Sequence, residues 1–238
     1  MPKPSEFFVG LLEFFAILLP GLIATVFLAP RLQPFVVGPL VPSVMTEAER
    51  WALLLVCAYL VGNLLFHAGS SVDSVYDRVR KSRLARAEAQ VKGKPGTGLK
   101  GSAYAVWTND QARKQATVLR EAMLTSEQNT AMNTYKWSRS LLLAAMPAGA
   151  EDVHRLEADS KLFRSAMVVC VLVALLLMLE QRIVGAALAF GCTGPCFLLY
   201  FDRRLKSTSQ AYTHAITLLQ WSRGARAVHT ASAGASPE

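Results

Sequence analysis

Glu13 is the residue whose position asks most for a chemical explanation, because it is a carboxylic acid inside the apolar run FFVGLLEFFAILLPGLIATVFLA (7–29). An ionisable side chain in hydrocarbon costs about 2.5 to 3.5 kcal/mol on insertion scales and has to find a partner. At a rise of about 1.5 Å per residue, a helix through this run carries Glu13 roughly 9 Å inward from Phe7. Asn63 and His67 lie at a similar depth near the end of the apolar run WALLLVCAYLVGNLLF, and their spacing of four puts them on one helix face. With Ser70 they form a candidate intramembrane polar cluster opposite Glu13. Its chemistry would be a proton or ion relay. The plainer reading is an interhelical hydrogen-bond network, which the scarcity of other polar groups in the runs favours.

The cysteines are a second candidate. Cys57, Cys170, Cys192 and Cys196 all fall within apolar runs. Cys192-Thr-Gly-Pro-Cys196 has three residues between the thiols where redox dithiols have two, and Cys170 lies at a depth similar to Cys196. Thiol–disulfide exchange is the sharper reading, and small apolar packing is the favoured one. Glu151, His154 and Glu157 recur at three-residue steps on one helix, but a metal site recruits ligands from a second element, and only Asp73 and Asp77 offer themselves. A solvated helix face accounts for them. Around Lys92 to Gly101, Gly93 and Gly98 have the spacing of a phosphate loop, but Leu99 occupies the lysine position and no strand precedes it. No catalytic, cofactor-binding or metal-binding set is assigned, and the chain reads as a non-enzyme.

Four apolar stretches position these groups, each near the length a bilayer core requires. They cover about 7–29, 51–67, 165–180 and 183–201, with charge crowded between them. The fold expected is all-α: an integral membrane protein of four transmembrane helices with a helical cytoplasmic domain inserted between the second and third. Residues 1–67 form one transmembrane hairpin, 68–164 the inserted domain with its basic arm, and 165–202 the second hairpin. An amphipathic helix over 203–223 and a disordered tail over 224–238 follow. Pro20 and Gly21 kink the first span and pack closely. Ala187, Gly191 and Pro195 recur at four-residue spacing in the fourth, which permits close helix approach.

Finer punctuation refines the helices. Thr46 and Glu49 form a capping box that starts the second helix, which has no proline before Pro95 and so reads as one rod running past the span. Thr125 and Gln128 form another, opening a helix that ends before Pro147, with Met132, Tyr135, Leu142, Leu143 and Met146 as its packing residues. From about Ala150 a further helix runs unbroken into the third span. Leu205, Tyr212, Ile216 and Leu219 share a face of the amphipathic helix.

The charge distribution orients the whole. Of 25 Lys and Arg, 22 lie in the N-terminal tail, the central loop and the C-terminal region, and only Arg31, Arg50 and Arg182 lie in the other two loops. Basic residues are retained on the cytoplasmic side, so both termini and the central domain are expected there, most simply at a bacterial inner membrane. Eight basic residues against one acid lie between Arg78 and Lys100. Arg78, Arg80, Lys81, Arg83 and Arg86, with Arg203, Arg204 and Lys206 after the fourth span, are the candidates for contact with anionic lipid headgroups. Nucleic acid is the weaker partner for this stretch, because the nearest aromatics, Tyr104 and Trp107, lie outside it. The functional expectation is an anchor, sensor or effector of a multi-component system, homo-oligomeric and open to a cytoplasmic protein partner. An ion channel or membrane-permeabilising protein built on Glu13 and the kinked first span is the alternative.

Overall fold

The computed structural model describes the backbone of residues 4–32, 46–93 and 101–233, and the side chains of Leu11 and of 14–31, 46–92 and 101–222. Among the described residues helix makes up 94%, and no strand occurs. In chain order the helices are α1 (Pro4–Leu32), α2 (Glu47–Gly69), α3 (Val72–Gly93), α4 (Gly101–Met123), α5 (Ser126–Ala131), α6 (Thr134–Ala145), α7 (Pro147–Leu179), α8 (Ile183–Gly191) and α9 (Thr193–Ala233). Four helical stretches are long and apolar enough to cross a membrane, within Phe14–Arg31, Glu47–Lys92, Pro147–Leu179 and Ile183–Ser222. The molecule is accordingly a helical membrane protein by length and composition of its helices.

The helix ends follow local chemistry. Thr46 and Thr125 accept from the backbones of Glu49 and Gln128, whose side chains reach back to the cap backbones, so both capping boxes form. α7 starts on Pro147, whose missing N–H costs nothing in a first turn, and runs 33 residues without a break.

Four boundaries differ from the sequence expectation. The single rod past the second span is interrupted at Ser70 and Ser71. There Ser70 Oγ donates to the carbonyl of His67 at 2.7 Å and Ser71 Oγ to that of Ala68 at 2.8 Å, while the backbone bonds shorten to i→i−3. Serine hydroxyls competing for the helix's own carbonyls end α2 without a proline. The helix expected from Thr125 to Pro147 is two: Met132 is extended and the Asn133 side chain accepts from Lys136 N at 2.9 Å, capping α6 afresh.

The fourth span is also divided, at Cys192. Pro195 has no N–H to offer the Gly191 carbonyl, and Thr193 Oγ1 donates to Phe190 O at 2.7 Å beside the gap. Finally, α9 continues to Ala233, so the backbone of 224–233 is helical where a disordered tail was expected. The four alanines and the arginine of ARAVHTASA are good helix formers and need only extend a helix already nucleated. Residues 234–238 lie outside the described residues.

The chain divides into two compact units, Met1–Val79 with Arg155–Arg204, and Arg80–His154 with Leu205–Glu238. In the first, α1 and α2 meet backbone to backbone. A Cβ on Gly21 would stand 1.9 Å from the Ala58 carbonyl oxygen, and one on Gly62 would stand 2.2 Å from that of Ile17, so only glycine fits either place. Pro20, beside this crossing, is buried and α1 continues through it. Ala24, Leu65, Val169 and Val173 then join α1, α2 and α7 in one apolar cluster.

The second unit is a separate helical core. Ala116, Trp137, Tyr212, Ala215 and Leu219 pack α4, α6 and α9 together, and Leu142, Ala150, Val153 and Ala211 form a neighbouring cluster. The face of Leu205, Tyr212 and Leu219 is buried as its spacing predicts, with Ile216 packed beside it. Leu143 is the exception on α6, 53% exposed.

Candidate functional site

The best-organised polar group of the first unit is built on a residue that the sequence offered only as a second-element partner for a metal site. Asp73 stands in the first turn of α3, directly after the serine break, and takes two partners from far along the chain. Arg164 Nη1 donates to Asp73 Oδ2 at 3.0 Å, and the Tyr200 hydroxyl donates to Asp73 Oδ1. Arg164 is 7% exposed, and its guanidinium carbon lies 4.7 Å from the Phe66 ring centre, a cation–π contact. Gly69 leaves the room: a Cβ there would come within 3.2 Å of Arg164 Cγ. Tyr76 closes the other side, its ring 5.7 Å from that of Tyr200 and 5.1 Å from that of Phe201. Arg164 abuts the apolar run of α7, and a charge at such a boundary needs a partner. That was the available signal; the identity of the partner was not available from spacing.

The second unit has a polar centre of a different kind. Asn109 is 1% exposed; its Nδ2 donates to Thr208 Oγ1 at 3.0 Å and, at 3.5 Å, to the Leu205 carbonyl, while its Oδ1 accepts from Arg80 Nη1 at 3.4 Å. One amide thereby ties α3, α4 and α9. Its neighbour Asp110, also 1% exposed, pairs within its own helix, with Arg113 at 2.8 Å and Lys114 at 2.9 Å. Burial alone pushes the Asp110 carboxyl up. The hydrogen bond from Lys114 and the charges of Arg113 and Lys114 outweigh that, and hold it below the usual carboxylate range. The same hydrogen bond raises the Lys114 ammonium.

The residues expected to form the intramembrane cluster are engaged locally where they are described. Asn63 Nδ2 donates to the Tyr59 carbonyl at 2.8 Å and Ser70 Oγ to that of His67, both on α2 itself. His67 is exposed, with its ring edge-on to Phe66 at 6.0 Å. The Glu13 side chain lies outside the described residues.

Among the basic candidates, Arg78, Lys81, Arg86 and Lys206 are exposed, and Arg83 and Arg204 half-buried. Arg80 is half-buried on Asn109, and Arg203 pairs with Asp159 at 3.5 Å, so these two spend part of their charge inside the protein. Residues 94–100 lie outside the described residues.

The small-residue expectation divides. Pro20 and Gly21 are buried at the α1–α2 crossing, whereas Ala187, Gly191 and Pro195 are exposed, and a Cβ on Gly191 would meet nothing within 4 Å. Four-residue spacing made a smooth strip there, but among the described residues nothing packs against the open side of Gly191. The cysteines are free thiols, Cys192 exposed and the others half-buried. His154 accepts from Arg139 Nε at 3.0 Å, and no group of three metal-ligating side chains gathers among the described residues.

Comparison of the chain with protein-family models, with curated proteins and with solved structures finds no match.

Proposed function

We propose that this protein is a non-enzymatic membrane anchor that presents its second helical unit to the cytoplasm, as the sensor or effector component of an oligomeric, multi-component system. The observation that carries the reading is the sidedness of charge about the four apolar helices, 22 basic residues on one side of the deduced topology and three on the other. With both termini inside, the second unit lies on the basic side. The exposed Arg78, Lys81 and Arg86 then lie close to anionic headgroups, each adding roughly 1 kcal/mol of attraction near the surface. The inserted unit has its own apolar clusters, the property of a domain made to be presented.

Protease accessibility in oriented bacterial inner-membrane vesicles tests the topology. Cleavage within the second unit in inside-out vesicles, with protection in right-side-out ones, is the expected result; the reverse pattern overturns the proposal. Ion flux through purified protein in liposomes, abolished by Glu13→Gln with folding intact, would replace the anchor reading with the channel one.

A further inference from the structure

The second unit holds a cleft that neither its packing nor the membrane reading employs. It lies between α4 and α9 and measures about 410 Å³, within the roughly 300–1,000 Å³ range of small-molecule sites. Gln111 and Gln115 line it from α4 and Thr213 and Thr217 from α9, with Thr108 and Trp107 also in the lining. Each pair is four residues apart, so each forms a row along its helix. Ala112 and Ile216 line the cleft as well, and both pack against the buried cluster of Trp137 and Tyr212. The floor is therefore fixed by the core.

The lining has a consistent chemistry. None of its side chains is ionisable, and its two amides and three hydroxyls each combine hydrogen-bond donor and acceptor. Four other side-chain amides of this unit are spent on the fold: Asn109 on Thr208, Asn129 on the Leu124 carbonyl, Asn133 on the α6 cap and Gln128 on the α5 cap. Gln111 and Gln115 make no hydrogen bond among the described residues, and both face the same cleft. The Thr108 hydroxyl donates to the Tyr104 carbonyl at 3.0 Å, which leaves its lone pairs as acceptors. Half-buried Trp107 contributes an indole.

We infer that this cleft binds a heteroaromatic base, carried either by a free nucleoside or by a single-stranded nucleic acid. A glutamine carboxamide pairs with two adjacent groups on a base edge at once, as it does with adenine. The indole supplies a surface on which a flat ring stacks whatever its identity. An anion finds no cation in the lining, and an apolar ligand would leave two amides and two hydroxyls without partners. The inference rests on neutral groups, so it is independent of the basic stretch from Arg78 to Lys100 and of the topology proposed above.

The test uses the full chain in nanodiscs, titrated calorimetrically with adenosine, guanosine, cytidine, uridine, ribose and short homopolymer oligonucleotides. At least one nucleoside is expected to bind saturably while ribose gives no heat. The double substitution Gln111→Ala/Gln115→Ala, and separately Trp107→Leu, should weaken that binding by about tenfold or more. Unchanged circular dichroism and elution volume confirm that the variants fold. Oligonucleotide binding that is tighter than nucleoside binding and falls with salt identifies a strand as the source of the base; equal, salt-independent affinity identifies the free nucleoside. Ribose binding as well as the nucleosides, absence of saturable binding into the millimolar range, or affinity indifferent to both sets of substitutions would overturn the inference.

Discussion

Each unit sets an acid beside arginine, but the two acids are used in opposite ways. Asp73 draws its partners from 91 and 127 residues away, so that one carboxylate holds α3, α7 and α9 together. Asp110 finds both of its partners within four residues on α4, and the long-range bonds of that unit are made by a neutral amide, Asn109, reaching 96 and 99 residues along the chain. The difference follows from the surroundings. Where most neighbours are apolar, a buried charge has few places to go and its one pairing becomes strongly specified. In a unit with many polar side chains, a charge is satisfied by whichever neighbour is nearest on its helix, and tertiary register falls to a group that needs no counter-ion.

The sharpest way to break this comparison is to remove Asp73. Arg164 has a side chain only 9% exposed, against 38% for Asp73, so Asp73→Ala strands a buried cation whereas Arg164→Met leaves a carboxylate that water can reach. Asp73→Ala should cost about 3–5 kcal/mol, the range for unpairing a buried charge, and Arg164→Met clearly less. Denaturant titration in detergent, with hydrogen exchange read separately for α2 and α4, measures both. Equal losses from the two substitutions, or exchange that rises in α4 as much as in α2, would show that Asp73 has no special hold on the first unit.

Next in size is Asn109→Ala, which should cost about 1–3 kcal/mol, the penalty for leaving a buried hydrogen-bonding group unmet. The Thr208 hydroxyl keeps its bond to the Leu205 carbonyl at 3.0 Å, so part of the loss is absorbed. Faster exchange should appear in α4 and α9 together, because Asn109 joins them. A loss as large as that of Asp73→Ala would erase the distinction between a charged and a neutral tertiary link.

Legibility from the sequence divides along the same line between local and long-range. Both capping boxes form as read, because Thr46 with Glu49 and Thr125 with Gln128 depend only on residues three apart. The helical class and the apolar stretches are equally local properties. The face of Leu205, Tyr212 and Leu219 was readable because periodicity reports which side is buried, though not against what.

The same limit explains the divided result for small residues. Gly21 and Gly191 were both read as packing positions, yet Gly21 lies against Ala58 and Gly62 while a Cβ on Gly191 would meet nothing within 4 Å among the described residues. The serine break after Gly69 carried a signal in Gly-Ser-Ser, but the weight given to the absence of proline hid it. The join of Asp73 to Arg164 and Tyr200 left no trace in spacing. It depends on three helices meeting, and only the position of Arg164 at the edge of an apolar run hinted that a partner exists. Grouping Asn63 with Ser70 left out the local bonds each makes, since a polar side chain in a helix can reach the carbonyl three or four residues back.

The smallest expected effect concerns Asp110, and its sign is what matters. The paired Asp110 carboxyl titrates below the usual range, so the unfolded chain, in which an aspartate has a pKa near about 3.9, binds its proton more tightly than the folded protein does. The charge on Asp110 therefore favours folding above that unfolded value. Its contribution declines as pH falls through the unfolded value and is gone below the lowered folded one. Asp110→Asn keeps the shape and removes the charge, so the variant should be less stable near neutrality and its deficit should shrink steadily on acidification. Unfolding free energies of the two proteins, measured side by side from neutral pH downward, give that difference directly. A deficit that stays constant would mean that Asp110 acts by shape and hydrogen bonding alone. One that grows toward acid would mean that burial outweighs Lys114 and Arg113, and the second unit would then hold a strained charge rather than a satisfied one.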